Sequence, residues 1–357
     1  MRAARALIDL SALRHNFRQV REAAPHSRIL AVIKANAYGH GAVAVAQTLT
    51  QADGFGVACV DEGLALRAAG IDKTIVSLQG FKSESELVKA AAHNIGLTVH
   101  DAYQIELLTA VSLADPVNVW FKVDTGMARL GFAPAEAAAV YQRLCESRRL
   151  ASTPVLMTHL ACADDRRSDY SRHQLRVFDR AIQTLAGARS TANSAGILAW
   201  PDSREDWVRP GIMLYGGSPF IDDTAENAGL KPVMTLTAPL ITRRWMRKGE
   251  PVGYGNSWSA PEAMPIGVAA IGYADGYPRH AGTGTPVLIN GRRTQIVGRV
   301  CMDMITVDLR NCKARPGDEV ILWGQGLPVD EVARCATTVG YELLCAAGNR
   351  VRAEIID

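Results

Sequence analysis

Lys34 ends the apolar run Ile29-Leu30-Ala31-Val32-Ile33 and opens the octapeptide Lys34-Ala35-Asn36-Ala37-Tyr38-Gly39-His40-Gly41. An amine held at the end of a buried strand is partly desolvated, which lowers its pKa and frees its lone pair. Such an amine can form a Schiff base with an aldehyde. Taken alone, a lysine after a strand is also an ordinary surface residue. Gly39 and Gly41, with Asn36 and Tyr38 between the lysine and the second glycine, mark a tight loop with polar groups aimed at one spot, and favour the chemical reading.

Further candidates follow other apolar runs. In Phe121-Lys122-Val123-Asp124-Thr125-Gly126-Met127-Ala128-Arg129-Leu130-Gly131, Lys122 and Asp124 share a face by the two-residue period of a strand, and Arg129 follows on a glycine-bearing loop. Lys122 also fits a buried salt bridge to an acid. Thr158-His159-Leu160 and Asn193-Ser194 end two more runs, and Arg209-Pro210-Gly211-Ile212 ends another. A lone histidine on a strand is usually structural, and an arginine before a proline is often so. Ser194 offers a hydroxyl, Gly211 and Ile212 offer backbone N–H groups, Gly211 lets the chain approach closely, and Tyr38 adds a phenol. Together these suit a phosphate. Tyr254, between Gly253 and Gly255, reads as a turn residue or as an acid/base phenol.

The elements that must position these groups are legible in outline. Apolar runs at 29–33, 55–59, 75–78, 96–99, 118–123, 155–159, 190–193 and 207–209 alternate with amphipathic stretches at 42–49, 61–69, 84–92, 102–111, 134–145 and 168–185. Strands alternating with helices imply parallel pairing with right-handed crossovers, and eight such units suggest a closed (β/α)8 TIM-type barrel of the α/β class. In that fold the ends of the strands form the catalytic mouth, and the loops after strands seven and eight often hold phosphate. After Gly229 the pattern changes to β-branched runs at 234–242, 266–272, 286–289, 294–297, 305–308 and 319–323, with one helical period at 329–339. This reads as a mostly antiparallel C-terminal β-domain, with Asn290-Gly291 as a two-residue hairpin turn. The expected division is a barrel over 8–228 and a β-domain over 229–357, residues 1–7 pairing with the latter.

Composition narrows the functional classes. The chain has 357 residues, 48% hydrophobic and 21% charged, which is ordinary for a globular protein. The net charge is +3, and the densest basic cluster, Arg243, Arg244, Arg247 and Lys248, reads as a solvated turn rather than a nucleic-acid patch. Seven cysteines, an odd number with no C-x-x-C pair, argue against a disulfide framework and against zinc. Residues 1–10 lack the apolar core of a signal peptide, and no run of about 18 apolar residues could span a bilayer. A cytoplasmic enzyme binding no metal is expected.

The octapeptide resembles the cofactor-lysine signature of the alanine racemases, fold-type III enzymes dependent on pyridoxal 5′-phosphate. The resemblance spans essentially the whole chain, with the other motifs in the family's order. It implies racemisation of L- and D-alanine by two bases, Lys34 for the D-isomer's proton and Tyr254 for the L-isomer's. Tyr254 would enter the neighbouring subunit's site, so the enzyme would be a homodimer with shared sites. The resemblance assigns Tyr38, Asn193, Ser194, Gly211, Ile212 and Tyr341 to cofactor binding. Arg129 would contact the cofactor's phenolic oxygen and the substrate carboxylate, and Lys122 would be carbamylated, an anion orienting Arg129. Arg209 would face the ring nitrogen with His159 as its polar partner. An arginine cannot protonate that nitrogen, so the ring is a poorer electron sink and transamination is suppressed. Positive charge from Arg209, relayed by His159, would suit Tyr254 to act as a base. Tyr273, Met302 and Asp303 fall in the family's entrance and substrate-carboxylate segments. A racemase of broader specificity, serine included, an amino-acid decarboxylase and a non-catalytic cofactor carrier are the competing readings. The decarboxylases place an acid where Arg209 stands, and carriers of this barrel type lack the β-domain.

Overall fold

The computed structural model describes residues 4–347 and 350–357. Of the segment expected to pair with the β-domain, residues 1–3 lie outside the described residues. The chain enters through β1 (Arg5–Asp9) and a helix, Leu10–Ala23, whose first turn is capped by Asp9 accepting the Ala12 N–H at 2.9 Å. Eight parallel strands follow: β2 (Arg28–Val32), β3 (Gly54–Val57), β4 (Thr74–Ser77), β5 (Ile95–Val99), β6 (Val119–Lys122), β7 (Val155–Met157), β8 (Arg189–Ser190) and β9 (Trp207–Val208). They run in the spatial order β9-β2-β3-β4-β5-β6-β7-β8. The ladder stops between β8 and β9. There Ser190 Oγ donates to the Trp207 carbonyl at 2.9 Å and the Arg209 N–H donates to the Ala192 carbonyl at 3.0 Å, so the ring is nearly closed.

β8 is shorter than the run at 190–193 suggests, for a local reason. Asn193 Oδ1 accepts the Gly196 N–H at 2.9 Å and starts the helix Ser194–Ala199, which takes the backbone out of the sheet. Inside the barrel, Leu30, Val76, Trp120, Met157 and Trp207 pack as one buried layer. That layer seals the floor. On three strands the next inward position, two residues on, is Lys122, His159 or Arg209, and on β2 two such steps lead from Leu30 to Lys34. The strand period thus lifts these groups from an apolar floor to the mouth.

The second sheet comprises β10 (Met234–Met246), β13 (Met264–Ala269), β14 (Pro286–Ile289), β15 (Arg292–Gln295), β16 (Ile305–Asp308), β17 (Glu319–Trp323) and β18 (Arg352–Ile356), with a separate two-stranded ribbon of β11 (Pro251–Val252) and β12 (Trp258–Ser259). Its path is β15-β14-β17-β10-β1-β18, and β13 joins β10 to β16. All pairings are antiparallel except β1 with β18. β1 therefore lies inside the second sheet, between β10 and β18. Asn290 and Gly291 have φ of 51° and 72°, the two positive values a tight hairpin turn needs, and they set the register Ile289 opposite Arg292.

The helical period at 329–339 becomes two helices, Val329–Cys335 and Gly340–Ala346. Between them Thr337 has a φ of 54°, which ends the first helix. The second helix packs against the turn after β2: a Cβ on Gly39 would lie 2.3 Å from the Leu344 carbonyl oxygen. Among the described residues, no helix is long and apolar enough to cross a membrane.

Candidate active site

A cavity of about 530 Å³ opens at the C-terminal ends of the barrel strands. Lys34, Tyr38, Lys122, Arg129, His159 and Arg209 line it, as do Asn193, Ser194, Gly211, Ile212 and Tyr341. These groups come from five barrel strand ends with their loops and one helix of the C-terminal region. The lining carries four lysine and arginine side chains, Lys34, Lys122, Arg129 and Arg209, and no carboxylate among the described residues. Such a cavity suits an anionic occupant.

The cations are crowded, and their protonation reflects it. Burial, followed by the charge of Arg129, holds the Lys34 amine below the usual lysine range. Burial, then Arg209 and Arg129, push Lys122 down to about 8. Asp124 does not clamp Lys122 as a salt bridge; its Oδ1 accepts the N–H groups of Gly126, Met127 and Ala128 at 2.9–3.1 Å and shapes the loop that carries Arg129. Arg209 is buried, which lowers its pKa to about 10 and leaves it cationic at neutral pH. Its guanidinium donates to Ser190 Oγ at 2.5 Å and to the carbonyls of Thr158 at 2.6 Å and Thr191 at 3.2 Å. His159 is kept neutral by burial and by the Arg209 charge. Its Nδ1 stands 3.4 Å from an Arg209 N–H nitrogen, so this nitrogen accepts and Nε2 carries the proton.

The phosphate-type corner is built differently in one detail. The Gly211 N–H does not point free; it donates to Ser194 Oγ at 2.8 Å, and the Met213 N–H reaches the same oxygen at 3.4 Å. Ile212 opens the short turn Ile212–Tyr215, whose N-terminal end carries N–H groups without partners inside the turn. A Cβ on Gly211 would lie 2.7 Å from Tyr38 Oη, so the glycine leaves a notch at the hydroxyl. Asn193 lines the cavity while its side chain caps the helix that begins at Ser194.

Lys34 is followed by an unusual stretch. Ala35, Asn36, Ala37 and Tyr38 all have φ between 52° and 54°, a left-handed turn built without glycine. Each such residue costs ~1–2 kcal/mol relative to the right-handed form. Glu62 offsets part of this by accepting the Ala35 N–H at 2.9 Å and the Ala58 N–H at 2.7 Å, and Asn36 Oδ1 accepts the Ala42 N–H at 2.9 Å.

Four residues singled out from sequence lie outside this cavity. Tyr254 sits at the tip of the β11–β12 ribbon and is 68% exposed. Tyr273 and Met302 are 41% and 54% exposed. Their segments are tied together: the Tyr273 N–H donates to the Cys301 carbonyl at 3.1 Å and the Ala274 N–H to the Met302 carbonyl at 3.0 Å. Asp303 stands 3.6 Å from Arg350. The ribbon reaches the same region through Arg299, whose guanidinium would lie 3.2 Å from a Cβ on Gly255. Within a single chain Tyr254, Tyr273, Met302 and Asp303 thus do not line the barrel's own cavity.

Sequence reading missed Gln79 and Cys345 among the lining residues. Gln79 follows β4 and was accessible from the rule that strand ends form the mouth. Cys345 is four residues beyond Tyr341, so both share a face of the helix Gly340–Ala346. That spacing signals nothing until the helix is known to restart at Gly340.

A near-closed barrel with a desolvated amine at its first strand end, a cation-lined cavity and an appended β-domain defines an enzyme class in which a lysine holds an anionic carbonyl cofactor. The family models for the alanine racemase N-terminal domain and C-terminal domain match residues 8–219 and 233–355. An alanine racemase of Halorhodospira halophila is 51% identical over 100% of this chain and 98% of its own length. The biosynthetic alanine racemase of Pseudomonas aeruginosa superposes with a TM-score of 0.97 at 46% identity, covering 100% of both chains. The alanine racemase of Bartonella henselae, solved with covalently bound pyridoxal phosphate, superposes with a TM-score of 0.89 at 32% identity over 99% of each chain. The chain belongs to the alanine racemase family. Nothing in these relatives supports a broader racemase or a non-catalytic carrier, and both domains of the enzyme family are matched.

Proposed function

We propose that this chain interconverts L- and D-alanine by a two-base mechanism, with pyridoxal 5′-phosphate joined to Lys34. The observation that carries the reading is the placement of the Lys34 amine, held below its usual pKa, in a cavity lined by cations and no carboxylate. The donor set fits the group: Ser194, Tyr38, Tyr341, Asn193 and the Ile212 backbone N–H gather at one end, with the notch at Gly211 beside the Tyr38 hydroxyl. When bound, the cofactor withdraws electrons from the substrate's Cα and acidifies its proton.

The chain's own groups would do the rest. Lys34 takes or returns the proton on one face of Cα, and burial supplies the neutral amine this needs. Tyr254 of a second copy serves the opposite face. Its exposure on a ribbon tip, away from its own cavity, supports a homodimer in which each subunit completes the other's site. His159, with Nδ1 turned to Arg209, offers its Nε2–H towards an incoming phenolate. Arg209 would meet the ring nitrogen with a donor that stays cationic and does not protonate it, which favours return of the proton to Cα from Lys34 or the partner's acid group. Arg129 holds the substrate carboxylate. The patch of Tyr273, Met302 and Asp303 is assigned to the entrance and the carboxylate end of the partner's site.

Lys122 fits a carbamate. A pKa near 8 leaves an appreciable neutral fraction, and the neutral amine forms an N–C bond to CO2 with loss of a proton. The product replaces a cation crowded by Arg209 and Arg129 with an anion between them. A cytoplasmic site of action accords with the seven cysteines, all free thiols.

The test is proton exchange. L-Alanine incubated with the protein in D2O should lose its Cα proton signal while optical rotation falls in step. Exchange without loss of rotation would mean that one face alone is served, and the two-base reading would fall.

A further inference from the structure

The Schiff-base lysine and Tyr38 are carried by the left-handed turn, and its conformation needs a cause beyond the loop itself. His40 is buried, with 1% of its surface exposed. Its Nδ1 lies 2.9 Å from both the Ala37 and the Tyr38 carbonyl oxygens. Two carbonyls can only accept, so Nδ1 carries the proton and is shared between them. The other ring nitrogen, Nε2, is buried with no hydrogen-bond partner among the described residues. Burial holds the imidazole neutral, with its pKa lowered to about 4. A neutral ring with an orphaned acceptor is an unfavourable way to fill buried space. What it supplies, and a hydrocarbon side chain would not, is one N–H aimed at the turn.

The ring is itself held. Tyr215 stacks on His40 at 4.6 Å and on Tyr38 at 4.7 Å, with interplanar angles of 28° and 27°. The Tyr215 hydroxyl donates to the Val32 carbonyl at 2.9 Å, two residues before Lys34. One ring therefore joins the strand that ends in Lys34, the Tyr38 phenol and the imidazole.

We propose that His40 is a positioning residue for Lys34 and Tyr38. Its Nδ1–H holds the carbonyls of Ala37 and Tyr38 in the left-handed arrangement, and the Tyr38–Tyr215–His40 stack transmits that arrangement to the phenol at the phosphate end of the cavity. The proposal deepens the cofactor reading above and rests on it.

The experiment compares full-length wild-type protein with His40→Leu and His40→Asn. Asparagine can place an amide N–H near the position of Nδ1, whereas leucine cannot. Two readouts apply: the dissociation constant of pyridoxal 5′-phosphate from the apoprotein, and deuterium uptake by the segment 34–42, where the Gly39 and Gly41 N–H groups bond to the Ala35 and Asn36 carbonyls. His40→Leu is expected to bind the cofactor about tenfold more weakly, the effect of one buried hydrogen bond, and to exchange faster in this segment while the β10–β13 pairing exchanges as in wild type. His40→Asn is expected to restore both. Unchanged binding and exchange in the leucine variant would overturn the clamp. So would an asparagine variant that folds yet fails to recover, since ring packing and not the N–H would then be the cause. If His40→Leu does not fold, His40→Asn decides alone by the same two readouts. A wild-type protein in which borohydride traps no phosphopyridoxyl group on Lys34 would instead overturn the cofactor reading itself.

Discussion

Arg209, buried, and His159, half-buried, form a pair in which the guanidinium nitrogen stands 3.4 Å from Nδ1 and the imidazole stays neutral. The pair fixes two things at once. It presents a cation that stays protonated to one end of the cavity, and it leaves Nε2–H as the only proton the imidazole can donate. Three further acceptors hold the same guanidinium, Ser190 Oγ and the carbonyls of Thr158 and Thr191, so its direction is set by strand ends and not by the ligand.

From this follows the expected behaviour of Arg209→Glu. A carboxyl group in that place can protonate the ring nitrogen, which makes the cofactor a stronger electron sink. Racemisation should slow by roughly 10²–10³-fold, the order associated with losing a preorganised charged donor. Conversion of alanine to pyruvate, assayed in the same sample, should rise relative to racemisation. Arg209→Lys keeps the charge without the planar fork and should slow racemisation without raising pyruvate. An unchanged ratio of pyruvate to D-alanine in the glutamate variant would sink the role given to Arg209.

Tyr254 and Lys34 lie apart within one chain: the ribbon carrying the phenol leaves it exposed and outside the cavity that holds the amine. Lys34→Ala and Tyr254→Phe are each expected to lose at least about 10²-fold in turnover, as removal of a positioned acid or base does. Mixed dimers of the two variants should regain one working site, since one interface then carries both defects and the other neither. Activity is measured after exchange of differently tagged subunits. Proven exchange with no recovered activity would show that the sites are not shared.

Lys122 gives a prediction in pH. Its folded-state pKa of about 8 lies below the ordinary 10.5. Between these values the unfolded chain binds more protons, so stability of the unmodified protein rises as pH rises through that window, and below about 8 the full penalty remains. Carbamylation removes the penalty at neutral pH by removing the cation. Bicarbonate added near pH 8 should therefore raise the melting temperature of the wild-type apoprotein by roughly 2–4 °C. Lys122→Gln should not respond, and intact mass should show one CO2 on wild type only. Equal responses of the two proteins would assign the effect to salt and not to the lysine.

The sequence by itself determined the barrel, because the two-residue and 3.6-residue periods and their alternation are local patterns that leave few topologies open. It also placed Lys34, Lys122, His159 and Arg209 at the mouth, since each ends an apolar run and a strand's period projects such a residue upward from the floor layer. Asn290-Gly291 was legible as a turn for the same local reason: both residues tolerate positive φ.

Only the tertiary structure decided the rest. The left-handed conformation of Ala35 to Tyr38 suits Asn36 but not the two alanines or Tyr38, and Glu62, the Asn36 side chain and His40 hold it with hydrogen bonds. After the break at Thr337 a second helix brings Tyr341 and Cys345 to the cavity and packs against the turn at Gly39, a segment distant in sequence. The lowered pKa values of Lys122 and His159 arise first from burial and then from the charge of Arg209, which another strand end brings close in space. A short-range pattern records which face a residue occupies; the burial and the charged neighbours that set its protonation come from other chain segments, and no local period encodes them.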